Sequence, residues 1–255
     1  MVTRDTAWAA GTPCWVDLGA DDLGRARTFY SGLFGWQIPE GPPEAGGYSM
    51  CETDGQMVAG IGPKMGPPGT PTAWTTYLAT ENADATAEKI TAAGGQLISE
   101  PFDVMDAGRM AVAADPAGAV FGIWQAGRHT GFQRANEPGS LIWSENMSPD
   151  LDASRAFYQA VFGFTYGDIP GDFRYATLDL PGGMVGGIGE AQAGQPAHWA
   201  AYFAVADTDA TAARAGSLGG RVISPPSDTP YGRMASLGDD QGAVFSVMSS
   251  PAGQG

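Results

Sequence analysis

The octapeptide FYSGLFGW at residues 29–36 returns as FYQAVFGF at residues 157–164 in a chain of 255 residues. Aligning Trp15 with Trp143 extends the match without a gap, from WVDLGADDLGRARTFYSGLFGW to WSENMSPDLDASRAFYQAVFGF. Two later stretches recur as well. AWTTYLATENADATAEKITAAGGQLISEP matches HWAAYFAVADTDATAARAGSLGGRVISPP, and GRMAVAADPAGAVFGIW matches GRMASLGDDQGAVFSVM. A duplication of this reach means that both halves fold on one plan. The joint falls in RHTGFQRANEPGS, residues 128–140, which is polar, contains Gly and Pro, and lacks a hydrophobic period. The expected units are residues 1–131 and 138–250, with 128–140 as linker.

A fainter echo divides each half again into a strand, an acidic turn, a helix closed by Gly, and strands with Gly-rich turns. In the first half the pattern predicts strand 13–20, helix 22–33, and strands near 34–40, 47–53 and 57–62. It then predicts strand 74–80, helix 83–93, and strands near 96–100, 109–114 and 119–125. Asp22 and Asp150 stand at helix N-cap positions, and the helices close near Gly35, Gly94, Gly163 and Gly219. Four β-α-β-β-β modules in two pairs make an α+β fold.

Composition limits the partners. With 43% hydrophobic and 16% charged residues, the chain can bury a core in each half and is not disordered. A net charge of −15 repels phosphate backbones and anionic lipid, so neither nucleic acid nor a membrane surface is an expected partner. No apolar run approaches a membrane span, and MVTRDTAWAAGTP has no signal-peptide core, so a cytoplasmic protein is expected. Cys14 and Cys51 read as reduced, structural thiols. There is no P-loop and no G-x-S-x-G elbow, and GGMVGGIG at 182–189 does not lead a helix.

The phrases DLGRARTFYSGLFGW and DPAGAVFGIW, with the module order, resemble the vicinal oxygen chelate superfamily, which includes glyoxalase I, extradiol dioxygenases and bleomycin-binding proteins. GTPCWVDL, GSLIWSEN, HWAAYFAV and GRM are similar to a two-domain actinobacterial glyoxalase-like subgroup often labelled hydroxylases. The resemblance covers about residues 11–249. It implies two cupped, mainly antiparallel eight-stranded half-barrels with helices outside, and in the wider family a divalent metal inside the cup. The ligand positions that the resemblance implies are Trp15, Trp143, Thr75, Ala200, Ala59, Gly186, Gly122 and Ser246. None carries His, Gln, Glu, Asp or Cys. A divalent ion needs several converging lone-pair donors, so neither a metal nor any other cofactor is expected. His129 and His198, the two histidines, read as surface or rim residues.

Strand alternation puts residues two apart on one face. The cup therefore receives Trp15 with Asp17, and Trp143 with Glu145, an aromatic wall beside a carboxylate in each half. Burial disfavours the charged carboxylate and moves it towards proton-transfer chemistry, making Asp17 and Glu145 candidate acids or bases. Alternatively each pairs with the arginine of the repeated GRM, Arg109 or Arg233. Tyr77, Tyr202 and Trp124 share the inward parity, as does His198, which together with Tyr202 favours Glu145 as the working group. Trp74 and Trp199 have the opposite parity and belong under the helices. Phe29, Tyr30, Phe34 and Phe157, Tyr158, Phe162 lie at core spacing on helices.

Three functions fit these residues. The first is a metal-independent isomerase-, lyase- or hydroxylase-like enzyme acting on an aromatic or polyketide-like metabolite. The second is a non-catalytic binder of a planar drug, and the third a metal-dependent glyoxalase or dioxygenase. In each case the expected partner is a small planar organic molecule, and the expected assembly a monomer or homodimer.

Overall fold

The computed structural model describes residues 2–66 and 69–250; residues 1, 67 and 68 of the expected first unit lie outside them. The first half contains β1 (Val2–Thr3), β2 (Pro13–Ala20), α1 (Leu23–Phe34), β3 (Ser49–Thr53), β4 (Gln56–Pro63), β5 (Ala73–Ala79), α2 (Ala83–Ala92), β6 (Gln96–Val104), β7 (Gly108–Ala114) and β8 (Val120–Ala126). A short β9 (Arg134–Ala135) pairs with β1 and leads to the second half. There follow β10 (Leu141–Ser148), α3 (Leu151–Phe162), β11 (Thr165–Ile169), β12 (Tyr175–Leu180), β13 (Gly183–Glu190), β14 (His198–Ala204), α4 (Thr208–Ser217), β15 (Arg221–Thr229), β16 (Gly232–Gly238) and β17 (Val244–Ser249).

Local chemistry explains the helix ends. Asp22 and Asp150 each accept a hydrogen bond from the backbone N–H three residues on, Arg25 and Ala153, which satisfies an otherwise orphaned donor. Gly35 and Gly163 close α1 and α3 at φ of 73° and 75°, a left-handed conformation that costs glycine nothing.

Each half curls one mixed sheet into a cup. The orders are β3-β4-β2-β5-β8-β7-β6 and β11-β12-β13-β10-β14-β17-β16-β15. Modules join through the antiparallel pairs β2·β5 and β10·β14, and within modules β2·β4, β5·β8, β10·β13 and β14·β17 run parallel. The first sheet has seven strands rather than the eight expected. Its segment 34–40 forms only the bridge Gln37↔Glu52, because Pro39, Pro42 and Pro43 remove ladder donors. Its counterpart β11 completes five residues before Pro170.

The convex faces meet at the centre, where the Trp74 and Phe203 ring centroids lie 5.1 Å apart. The first helix of each half is bonded into the other half. Tyr30 on α1 donates to Asp239 Oδ2 at 3.0 Å and receives Trp74 Nε1 at 3.0 Å. Tyr158 on α3 mirrors this, donating to Asp115 Oδ2 at 3.1 Å and receiving Trp199 Nε1 at 2.7 Å. Trp74 and Trp199 thus lie under the helices, and the two cups open away from each other. Cys14 and Cys51 are free and buried, and burial pushes both thiols up. Among the described residues no helix is long and apolar enough to cross a membrane.

Candidate functional site

Each cup has the same polar floor. In the second, Trp143 Nε1 donates to the Tyr175 hydroxyl at 2.8 Å, and that hydroxyl donates to Glu145 Oε2 at 2.7 Å. The Tyr202 hydroxyl donates to the other carboxylate oxygen, Oε1, at 2.5 Å. In the first, Trp15 Nε1 donates to the Tyr48 hydroxyl at 2.8 Å, which donates to Asp17 Oδ2 at 3.2 Å, and Tyr77 also hydrogen-bonds Asp17. Tryptophan, tyrosine, carboxylate and tyrosine therefore form one quartet, made twice.

Glycines make room for the rings. A β-carbon at Gly60 would collide with the Tyr48 hydroxyl, and one at Gly187 with that of Tyr175. Burial raises all four tyrosine hydroxyls above their ordinary range. They remain protonated donors at neutral pH, which leaves the carboxylate as the group in each quartet able to accept a proton. Asp17 is pushed up to about 7, chiefly by burial, against the opposing hydrogen bonds from Tyr77 and Tyr48.

Tyr48 and Tyr175 were not anticipated. Their signal is present in YSMCETDGQMVAGIG and YATLDLPGGMVGGIG, where a shared Tyr faces a shared Gly-Ile-Gly; the ladder pairs β3 with β4 and β12 with β13.

Arg109 and Arg233 are not in the cups. Arg109 pairs in the ladder with Gln125, one residue off the inward Trp124, and so lies on the helix face with Asp84 and Asp103. Arg233 likewise binds Asp209 and Asp228. The repeated arginine ties an edge strand to the start of a helix, and neither carboxylate of the quartets meets it. His198 shares the face of Glu145, two ladder positions along β14, but its Nδ1 bonds the Pro196 carbonyl at 2.9 Å.

The cups differ in what lies over the floor. Residues 127–133 fold back across the first. His129 N donates to Ala107 O at 3.0 Å, Phe132 N to Cys14 O at 2.8 Å, and Gln133 N to Met57 O at 2.9 Å. His129 is consequently buried, not a rim residue: its ring packs edge-on to Trp15 at 4.3 Å and against Trp124 at 5.4 Å. The Trp124 indole also donates to the His129 carbonyl at 2.9 Å. Trp15 and Tyr77 each retain only 4% exposure, and with Trp124 and Phe132 they join a hydrophobic core.

In the second cup Trp143, Tyr175 and Tyr202 stay half-buried. Phe173 stacks on Tyr175 at 6.0 Å and remains 46% exposed at the lip. Met57 and Ala107, which the linker covers, correspond in the repeat to Met184 and Tyr231, and these are 58% and 62% exposed. Trp124 is replaced by Met248, and Gly122 by Ser246, which bonds Tyr202 and lies 3.1 Å from the Ser236 hydroxyl.

Paired β-α-β-β-β cups with an inward aromatic and polar floor define a glyoxalase-type protein. The chain belongs to the glyoxalase/bleomycin resistance protein/dioxygenase superfamily, whose family model matches residues 14–123 and 146–247. It is 46% identical over 259 residues to the CFP32 protein of Mycobacterium tuberculosis (strain CDC 1551 / Oshkosh), covering 98% of this chain and 99% of that one. It is 41% identical over 261 residues to the anthracycline biosynthesis protein DnrV of Streptomyces peucetius, covering 95% and 94%. In fold it matches the Mn(II)-bound glyoxalase of Novosphingobium aromaticivorans, at a TM-score of 0.67, 18% identity, and coverage of 94% and 82%.

A divalent ion of the kind that relative holds does not fit the residues here. Among the described residues no three His, Cys, Asp or Glu side chains come together. The position implied for a strand-end ligand, Gly122, lies beneath the Tyr77 ring, which a β-carbon there would strike.

Proposed function

We propose that the second cup binds a planar aromatic, polyketide-like metabolite and that Glu145 moves a proton on it without a metal. The observation that carries this reading is the Trp143–Tyr175–Glu145–Tyr202 quartet, in which a buried Glu145 lies among three half-buried rings beside an aromatic lip. Trp143 and Phe173 supply ring surfaces, and aromatic stacking adds roughly 0.5–1.5 kcal/mol to area burial. Two tyrosine donors hold both carboxylate oxygens, so Glu145 meets the ligand in a fixed pose. It takes a proton from an acidic C–H or O–H of the ligand, becomes the neutral acid, and returns the proton to the product. The relatives named for anthracycline biosynthesis support a polycyclic ligand.

A second reading, sequestration without conversion, rests on the same aromatic walls. Product analysis separates the two. Hydroxylated anthraquinones that quench tryptophan fluorescence are incubated with wild type, Glu145→Gln and Asp17→Asn. Acid–base catalysis at Glu145 predicts unchanged binding in Glu145→Gln and turnover lowered by roughly 100- to 10,000-fold, with Asp17→Asn near wild type. Full turnover in Glu145→Gln removes the carboxylate from the mechanism, and no conversion of any bound compound leaves a binder.

A further inference from the structure

We infer that the first cup is itself a ligand site, filled by the chain's own linker, with the His129 ring lying where the second cup takes its planar ligand. The inference rests on the reading of the second cup as a ligand site.

The quartet beneath the linker is complete, although nothing in packing alone calls for a tryptophan, two tyrosines and a carboxylate joined by hydrogen bonds. His129 sits on this floor as a ligand would. It is 8% exposed and touches both inward tryptophans, yet neither ring nitrogen has a hydrogen-bond partner among the described side chains and backbone. An imidazole buried with both nitrogens unpaired is costly, so shape and the tether hold it, not a polar network built around it. The strap is fastened largely by its backbone, through the N–H groups of residues 129, 132 and 133, and by the Gln133 side-chain oxygen, which accepts from Met57 N at 3.0 Å. Where the strap rests on Met57 and Ala107, the sister cup presents Met184 and Tyr231 to solvent.

Removing the ring while keeping the strap tests this directly. His129→Gly leaves a void between Trp15 and Trp124, and the probe is free imidazole at pH 8, where it is neutral. At tenfold excess over its Kd, imidazole raises the Tm of His129→Gly by roughly 3–6 °C and leaves wild type unmoved. An equal response of the two proteins overturns the inference.

Calorimetry of wild type with alizarin, a planar hydroxyanthraquinone, gives an independent measurement should His129→Gly fold poorly. One site per chain, lost in Trp143→Ala and kept in Trp15→Ala, supports a first cup that is already occupied. Two sites per chain show that the linker blocks nothing, and overturn it. No site at all defeats the reading of the second cup, and the imidazole response then decides the first cup alone.

Discussion

The two cups share a floor and differ in their cover, so a single chain holds a covered and a more open version of one side-chain arrangement. In the first, a strap of seven residues turns the quartet into core: Trp15, Tyr77 and Trp124 pack against His129 and Phe132. In the second, the equivalent rings join no buried cluster, Phe173 stacks on Tyr175, and Met184 and Tyr231 stay exposed. The same residue types are thus packed into the core in one half and stay half-buried in the other. Duplication allows this division, because one copy can keep its chemistry while the other is recruited for packing.

The largest expected contrast is between the two tryptophans. Trp15→Ala removes a buried side chain and lowers stability by about 3–5 kcal/mol in urea unfolding. Trp143→Ala, at a half-exposed site, costs far less stability but loses most of the affinity for planar ligands. Equal stability losses would erase the distinction between core and site.

Next comes pH. Asp17 is held near 7, above the value of about 3.9 for an unfolded aspartate. The native state binds the proton more tightly, so this group's contribution is fully present below pH 4. It is lost as pH rises through 7. Asp17→Asn therefore gains stability over wild type at pH 8, by at most about 4 kcal/mol for three pKa units, and matches it near pH 4. A gain that is the same at both pH values would mean that Asp17 is not desolvated. His129 works in the opposite sense: burial lowers it to about 4, so its contribution disappears as pH falls from 6.5 towards 4. His129→Ala should flatten the acid side of the stability profile.

A smaller effect is expected at the positions beneath the second tyrosine of each quartet. Gly122→Ser puts a side chain under the Tyr77 ring and costs about 1–3 kcal/mol by overpacking. Ser246→Gly, the reverse change in the second cup, removes the Tyr202 partner and costs about 1 kcal/mol. The smallest expected effect is that of chelator. EDTA leaves the Tm of both halves unchanged and elemental analysis finds no stoichiometric transition metal, whereas one metal per half would revive a glyoxalase reading.

Much of the architecture was legible because it rests on local, repeated signals. Asp22 and Asp150 cap helices through their own side chains, and Gly35 and Gly163 end them through backbone freedom. Alternation along β2 and β10 was enough to set Trp15 beside Asp17 and Trp143 beside Glu145. The missing strand at 34–40 was also written locally, in Pro39 and the Pro42-Pro43 pair just beyond it. Arg109 was misplaced although its parity was available: Met110 pairs with the inward Trp124, so its neighbour must point to the helices. Tyr48 and Tyr175 needed the pairing of one strand with the next, which alternation within a single strand does not supply.

By itself the sequence determined the doubled module plan and the inward tryptophan and carboxylate of each half, since periodicity and capping act over a few residues. Which cup is covered was decided by tertiary structure alone. Besides the buried Phe132 ring and the Gln133 side chain, which accepts from Met57 N, the strap binds through backbone N–H groups that every residue but proline possesses, to carbonyls of Cys14, Met57 and Ala107 brought together only when the sheet curls. Bonds of that kind leave no residue signature, so a polar stretch that read as linker lies folded across the first cup, with the His129 ring buried beneath it.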